Sequence, residues 1–167
     1  MASLQRRCKD TFTAWRVSCH AVAYVAQKSC KFLKMAFGKI IDLPKIMDPR
    51  GNLTVAEQLR EIPFAVSRVY WVYDVPGGEH RGGHAHKHCR EFIVAVSGSF
   101  TVTLDNGAES KPFLLNHPYQ GLLVEAGVWR KLDDFSSGAV CLVLAEDLFD
   151  EDDYIRDYDQ YLHYLNV

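Results

Sequence analysis

Gly78-Glu79-His80-Arg81-Gly82-Gly83-His84-Ala85-His86-Lys87-His88-Cys89-Arg90-Glu91 is the stretch whose reading decides the fold. Four of the seven histidines fall within it. Side chains alternate along a strand, so an extended segment here puts His84, His86 and His88 on one face and Cys89 on the other. The flanking sequence keeps the period of two. Val66 to Val75 carries β-branched or aromatic residues at both parities, as in a strand covered on both sides, and Pro76-Gly77-Gly78 ends it. Glu91–Ser97, Ser99–Leu104, Lys111–Leu115, Gly121–Glu125, Val128–Leu132 and Ala139–Ala145 read as further strands. Between two of them, Asp105-Asn106-Gly107 is a hairpin signal, because Asn-Gly tolerates positive φ. Many short strands without intervening helical periodicity predict an all-β sandwich or barrel. Only the tail, roughly Asp150 to Leu165, predicts a helix, with the acids Asp150 to Asp153 at its N-terminus.

The chain has 167 residues, 48% of them hydrophobic, enough for one domain that buries a core without metal or disulfide staples. A net charge of −2 argues against general nucleic-acid binding, and no window approaches a membrane span. The charge is unevenly distributed. Residues 1–34 hold seven basic residues and Asp10 (net +6), whereas residues 35–167 hold 12 basic and 20 acidic residues (net −8). The basic segment has the composition of an organellar transit peptide but fits a secretory signal poorly. The preferred reading is an extension ahead of a start at Met35, outside a domain at 35–167. Cys8, Cys19 and Cys30 match no zinc spacing, and Cys89 and Cys141 are isolated; no disulfide framework emerges, so a reducing cytoplasm is the expected location.

The histidine stretch has a specific spacing. Gly78, His84, His86, Glu91 and Gly98 satisfy Gly-x5-His-x-His-x4-Glu-x6-Gly, which resembles the first motif of the cupins, small jelly-roll barrels. The second cupin motif is degenerate: it reduces to Gly121, Glu125-Ala126-Gly127 and Val128-Trp129-Arg130, without proline and with Arg130 where a metal-binding histidine is expected. Arginine has no lone pair to donate and repels a cation. The expectation is therefore a site without metal or other cofactor, the alternative being an iron centre on His84, His86 and Glu91. Histidine suits proton transfer near neutral pH, and arginine suits phosphate. Arg50, Arg68, Arg81 and Arg130 are the arginine candidates. Cys89 reads as a buried structural thiol, His88 as a polar neighbour, and the acidic run Glu146–Asp153 as a solvated face or helix start.

Longer stretches sharpen this. Asp48-Pro49-Arg50-Gly51-Asn52-Leu53, Ile62-Pro63-Phe64, Arg68-Val69-Tyr70, Arg81-Gly82-Gly83-His84-Ala85-His86-Lys87, Leu104-Asp105-Asn106-Gly107, Val128-Trp129, Asp134-Phe135-Ser136-Ser137 and Asp153-Tyr154-Ile155-Arg156 resemble the sugar-nucleotide 3,4-ketoisomerases, the WxcM-like proteins, from Phe37 to Tyr158. The resemblance implies a metal-independent cupin-type jelly roll with a short C-terminal helix. It implies an isomerase that moves the keto group of dTDP-4-keto-6-deoxyglucose from C4 to C3, for the synthesis of 3-amino-3,6-dideoxyhexoses of surface glycans. It also implies a homodimer with exchanged N-terminal strands. His84 becomes the expected base and His86 a second acid–base group. Arg50, Arg68, Tyr70, Arg81, Glu91, Trp129 and Arg130 become the expected substrate contacts. The residue after the family's tryptophan is often histidine; Arg130 departs from that and leaves the C4 configuration of the product open. A metal-dependent oxygenase and a non-catalytic sugar-nucleotide binding module are the competing classes.

Overall fold

A computed structural model describes residues 38–166. The basic segment 1–34, with its three cysteines, lies outside the described residues. Two five-stranded antiparallel sheets face each other as in a jelly roll, without closing into one hydrogen-bonded cylinder. The first runs β1 (Lys39–Asp42), β9 (Gln120–Val124), β6 (Glu91–Ser97), β11 (Val140–Ala145), β4 (Arg68–Val72). The second runs β12 (Tyr154–Ile155), β5 (Arg81–His86), β10 (Trp129–Asp133), β7 (Phe100–Asp105), β8 (Ser110–Leu115). A hairpin of β2 (Lys45–Ile46) and β3 (Leu53–Thr54) stands apart from both.

Alternation fills the space between the sheets. Phe100, Val102 and Leu104 of β7, Cys141 and Val143 of β11, and Ile93 of β6 meet there. Strand β10 obeys the same parity, so Arg130 and Leu132 both point inward, and a charged residue occupies a core position. A second core lies outside the first sheet, where Leu43, Ile62 and Phe64 cover Phe92 and Val94. Burying Phe64 and Phe92 fully is worth about 1.5–3 kcal/mol each. Strand β6 is thus apolar at both parities because both of its faces are covered.

Strand β4 differs from expectation. Arg68, Tyr70 and Val72 turn inward, but Val69, Trp71 and Tyr73 are exposed; β4 is an edge strand, and nothing among the described residues covers its outer face.

The tail also departs from the expected single helix. Glu151–Asp153 form one 3₁₀ turn capped by Asp150, Tyr154–Ile155 pair with His86–Ala85 as β12, and helix α1 occupies only Tyr158–Leu165, capped by Asp157. Two aspartates each cap a short element, and the β pairing between them interrupts the helical path. The acids Glu151 to Asp153 do lie in a first turn, as the macrodipole argument requires, but in the 3₁₀ turn rather than the helix. Helix α1 is held by Tyr161, fully buried against Ala85 and Ile155, whose hydroxyl donates to the Asp105 carbonyl at 2.7 Å.

Candidate active site

Strand register builds the centre of the site. Arg130 of β10 lies directly opposite His84 of β5, so the two side chains emerge side by side on the inner face. One residue further, the register shifts: Lys131 pairs with Gly82, and Gly83 is the extra residue of a β-bulge. Gly82 (φ +80°) and Gly83 (φ +66°) make the bulge, and a Cβ at Gly82 would come within 3.2 Å of the Arg130 carbonyl. This accounts for the double glycine before the histidines.

The bulged strand ends at His86, which corrects the expectation for His88. The chain bends away after His86, leaving His88 exposed and Cys89 buried. Cys89 is an inert thiol, its pKa raised by burial.

The first sheet supplies Tyr70 and Glu91 from across the interior. The Tyr70 hydroxyl donates to Glu91 Oε1 at 2.8 Å, and Arg130 lies 2.6 Å from Glu91 Oε2. Burial alone would raise the Glu91 carboxyl, but Arg130, His86 and Tyr70 outweigh it and hold it down at about 2. The Tyr70 phenol is pushed up by burial and by the Glu91 charge, so it stays protonated. Arg130 also lies 2.6 Å from His84 Nε2. A guanidinium only donates, so that nitrogen accepts, and His84 is neutral with its proton on Nδ1. Burial and the Arg130 charge agree, lowering the His84 pKa to about 3.

His86 lies behind this pair. Its Nδ1 is 2.7 Å from Asp153 Oδ2 and its Nε2 3.3 Å from Glu91 Oε1. Its ring meets His84 edge-on at 5.2 Å between centroids, and Tyr154 packs over both.

Two cavities meet at this cluster. The inner one, about 320 Å³, is lined by Tyr70, Arg81, His84 and Arg130, with Ile93, Leu132 and Val143 as its apolar wall. The outer one, about 460 Å³, is lined by Arg68, Tyr70, His84, Phe149, Tyr154 and Arg156. His84 and Tyr70 border both. Among the described residues, four buried side-chain polar atoms lack a hydrogen bond of normal geometry: Arg68 Nε, His84 Nδ1, His86 Nε2 and Glu91 Oε2. All four belong to this cluster. Unpaired buried polar atoms are costly, and their concentration at one place marks a site shaped for something other than stability.

The structure thus brings together Arg68, Tyr70, Arg81, His84, His86, Glu91 and Arg130. It does not bring in Trp129 or Arg50. Trp129 has the opposite parity to Arg130 and packs in ring contact with Tyr158 and Tyr161 under α1. Arg50 is exposed on the β2–β3 turn, bonded to Asp48, and lines neither cavity. His86 and Glu91 are in the cluster but line neither cavity. Residue-by-residue reasoning missed Phe149, Asp153, Tyr154 and Arg156 as site members. Asp153 to Arg156 were legible as a family-like string; only the pairing of β12 with β5 carries them to the histidines.

A cupin metal would need His84, His86 and Glu91 as ligands. The Arg130 guanidinium contacts both His84 Nε2 and Glu91 Oε2, and a divalent cation among the same donors would be repelled. These residues do not fit a metal.

Facing antiparallel sheets around a histidine–carboxylate–arginine cluster define a cupin-type protein equipped for acid–base chemistry. The chain belongs to the WxcM-like, C-terminal family (FdtA), whose model matches residues 37–166. It is 44% identical over 127 residues to the TDP-4-oxo-6-deoxy-alpha-D-glucose-3,4-oxoisomerase of Aneurinibacillus thermoaerophilus, covering 76% of this chain and 91% of that one. A 3,4-ketoisomerase from Helicobacter canadensis superposes with a TM-score of 0.76 at 40% identity, over 78% of this chain and 98% of the other. A histidine-to-asparagine mutant of the 3,4-ketoisomerase from Thermoanaerobacterium thermosaccharolyticum, solved with TDP-4-keto-6-deoxyglucose, gives 0.77 at 36% identity over 79% and 96% of the two chains.

Proposed function

We propose that this chain is an isomerase that moves the keto group of dTDP-4-keto-6-deoxyglucose from C4 to C3. The observation that carries the reading is the meeting of two cavities at a neutral, half-buried histidine flanked by a protonated tyrosine and a buried guanidinium. The identity to ketoisomerases along three-quarters of the chain supports it.

The reaction moves two hydrogens. The C4 ketone acidifies the C3 hydrogen, and neutral His84 takes that proton, leaving an enediolate with charge on O4. Arg130, a cation held in a water-poor interior, stabilises that charge; such electrostatic preorganisation is usually the largest catalytic term. Tyr70 passes a proton to O4 and recovers one from O3, with Glu91 as the acceptor that orients its hydroxyl. The protonated His84 then delivers its proton to C4. One positioned base contributes ~10²–10⁴-fold. For His84 to act through Nε2, its bond to Arg130 must yield to substrate, which offers the guanidinium an oxygen instead.

The outer cavity suits the nucleotide. Arg68, its Nε unpaired, and Arg156 offer guanidinium groups to a diphosphate, and Phe149, an exposed aromatic, offers a face to thymine. Arg81 borders the inner cavity at its rim.

We read the working unit as a homodimer. The exposed apolar residues Val69, Trp71 and Tyr73 on an edge strand, and Ile46, Met47 and Leu53 on the projecting hairpin, support this. Exchange of N-terminal strands would carry Arg50, on that hairpin, toward a partner's site. The domain at 35–167, work in the cytoplasm and a product destined for 3-amino-3,6-dideoxyhexoses of surface glycans belong to the same reading. Light scattering tests the dimer: Trp71→Asp is expected to halve the mass, and a wild-type monomer at micromolar concentration would refute it.

The activity test is direct. Chelator-treated protein is incubated with dTDP-4-keto-6-deoxyglucose in D₂O and followed by NMR. A 3-keto product is expected, with hydrogen at C4 where His84 returns the proton it took and deuterium where that proton exchanges first; the coupling of the C4 hydrogen, read in H₂O, reports gluco or galacto configuration. No conversion, but saturable TDP binding, would overturn the isomerase in favour of a binding module. Conversion only with added Fe²⁺ and oxygen would favour an oxygenase.

A further inference from the structure

We infer that Asp153 is a positioning residue for catalysis: its carboxylate sets which nitrogen of His86 carries a proton, and so orients the buried chain that ends at the Tyr70 hydroxyl. The role in turnover rests on the isomerase reading above; the hold on His86 does not. Asp153 lines neither cavity, so it acts only through other residues.

The geometry is over-determined. One carboxylate oxygen of Asp153 faces His86 Nδ1 at 2.7 Å, and the other accepts from the His88 backbone N–H at 2.7 Å. The Asp153 carbonyl accepts from the Lys87 N–H at 2.9 Å. The neighbouring Tyr154 pairs in register with His86 itself. A carboxylate only accepts, so Nδ1 must carry hydrogen. The opposite ring nitrogen, Nε2, then lies 3.3 Å from Glu91 Oε1, the same oxygen that takes the Tyr70 hydroxyl at 2.8 Å. With its hydrogen on Nδ1, the ring offers Glu91 no donor from Nε2, so Oε1 is left to the Tyr70 hydroxyl; Asp153 thereby acts through His86 and Glu91 on the wall of both cavities. His86 is 2% exposed, so no solvent can replace Asp153 as the partner of Nδ1. Without that partner the ring can move its hydrogen to Nε2 and donate to Glu91 Oε1, competing with the Tyr70 hydroxyl for the acceptor that orients it.

Asp153→Asn separates this from a role in holding the turn. Asparagine has one carbonyl oxygen. Turned toward the His88 N–H it preserves the turn, but its amide then meets Nδ1 as a donor, and the ring must take its proton on Nε2 instead. The expected result is a kcat lower by about 10–100-fold, the range seen when such outer partners are removed, with TDP affinity within about threefold and Tm within a few degrees. ¹⁵N NMR of the ring nitrogens should show Nδ1 protonated in the wild type and unprotonated in the variant. Asp153→Glu, which keeps a carboxylate, should recover part of the lost kcat if it reaches Nδ1. An unchanged tautomer with kcat within threefold of wild type would overturn the inference. So would a loss of TDP affinity as large as the loss of kcat, which marks a structural residue. The NMR arm needs no turnover: a wild type that does not isomerise, yet shows the tautomer exchange, would sink the isomerase reading while upholding the hold of Asp153 on His86.

Discussion

Strands β5 and β10 carry two side-by-side pairs that are one residue apart and have opposite fates. His84 and Arg130 face the interior; Ala85 and Trp129, the next register pair, face outward under helix α1. The inner pair is polar, charged on one side, and surrounded by buried polar atoms without a hydrogen bond of normal geometry. The outer pair is apolar and saturated with ring contacts. A strand gives its two faces to two different tasks, so the same four residues supply both the chemistry and the attachment of the helix. The price of the first task falls on stability, and the second task offsets it.

The sharpest way to break this comparison is Arg130→Met. It leaves Glu91 buried with no guanidinium opposite, and removing one partner of a buried pair costs about 3–5 kcal/mol. Urea unfolding should show that loss, and turnover should disappear with it. A variant of normal stability would mean that Glu91 is not paired as described.

His84→Asn should do the reverse. Turnover should fall by about 10³-fold or more, the effect of losing a positioned base together with its orientation, while TDP affinity stays within about tenfold and stability rises or holds. Unchanged turnover would remove His84 as the base.

Trp129→Ala tests the outer pair. Loss of a large aromatic from a packed cluster should cost about 2–3 kcal/mol in thermal unfolding, at the low end for Trp→Ala because the ring is partly exposed. Turnover per folded molecule should stay within threefold. A tenfold rise in KM with unchanged Tm would return Trp129 to the substrate site.

Stability should also depend on pH. His84 has its folded pKa lowered from 6.5 to about 3, so the unfolded chain binds the extra proton as pH falls through 6.5, and stability declines from there down to about 3. Glu91, lowered from 4.5 to about 2, is ionised in the fold, and its contribution is present above 4.5 and lost as pH falls toward 2. Both act in the same direction. Tm should therefore drop as pH is lowered below 6.5, and His84→Asn should flatten the part between 6.5 and 4.5, where Glu91 has not begun to titrate. An equal slope in the variant would contradict the half-buried neutral histidine.

Much of this was legible in advance. Six of the strands, β6 to β11, lie within one residue of where alternation puts them, because the two-residue period and the Gly/Pro/Asn turns are local. The segment Val66–Val75 reads as covered on both faces, because composition cannot reveal that β4 lies at an edge. Parity alone groups His88 with His84 and His86, whereas the strand stops at His86. Asp153 looked like one more acid in a solvated run; its partner is 67 positions away, and no local pattern records that distance.

The sequence by itself determined the all-β character, the spacing that puts two histidines on one strand face, and an arginine at the position where a metal-binding histidine is expected. These follow from side-chain alternation and from the chemistry of single residues. Only the tertiary structure decided that Arg130 lies between His84 and Glu91, that Trp129 belongs to the helix rather than the cavity, and that a carboxylate from the C-terminal segment closes on His86. Those are pairings between strands distant in the chain, fixed by register and by the need of buried polar groups for partners, and neither acts at the range over which a sequence pattern can be read.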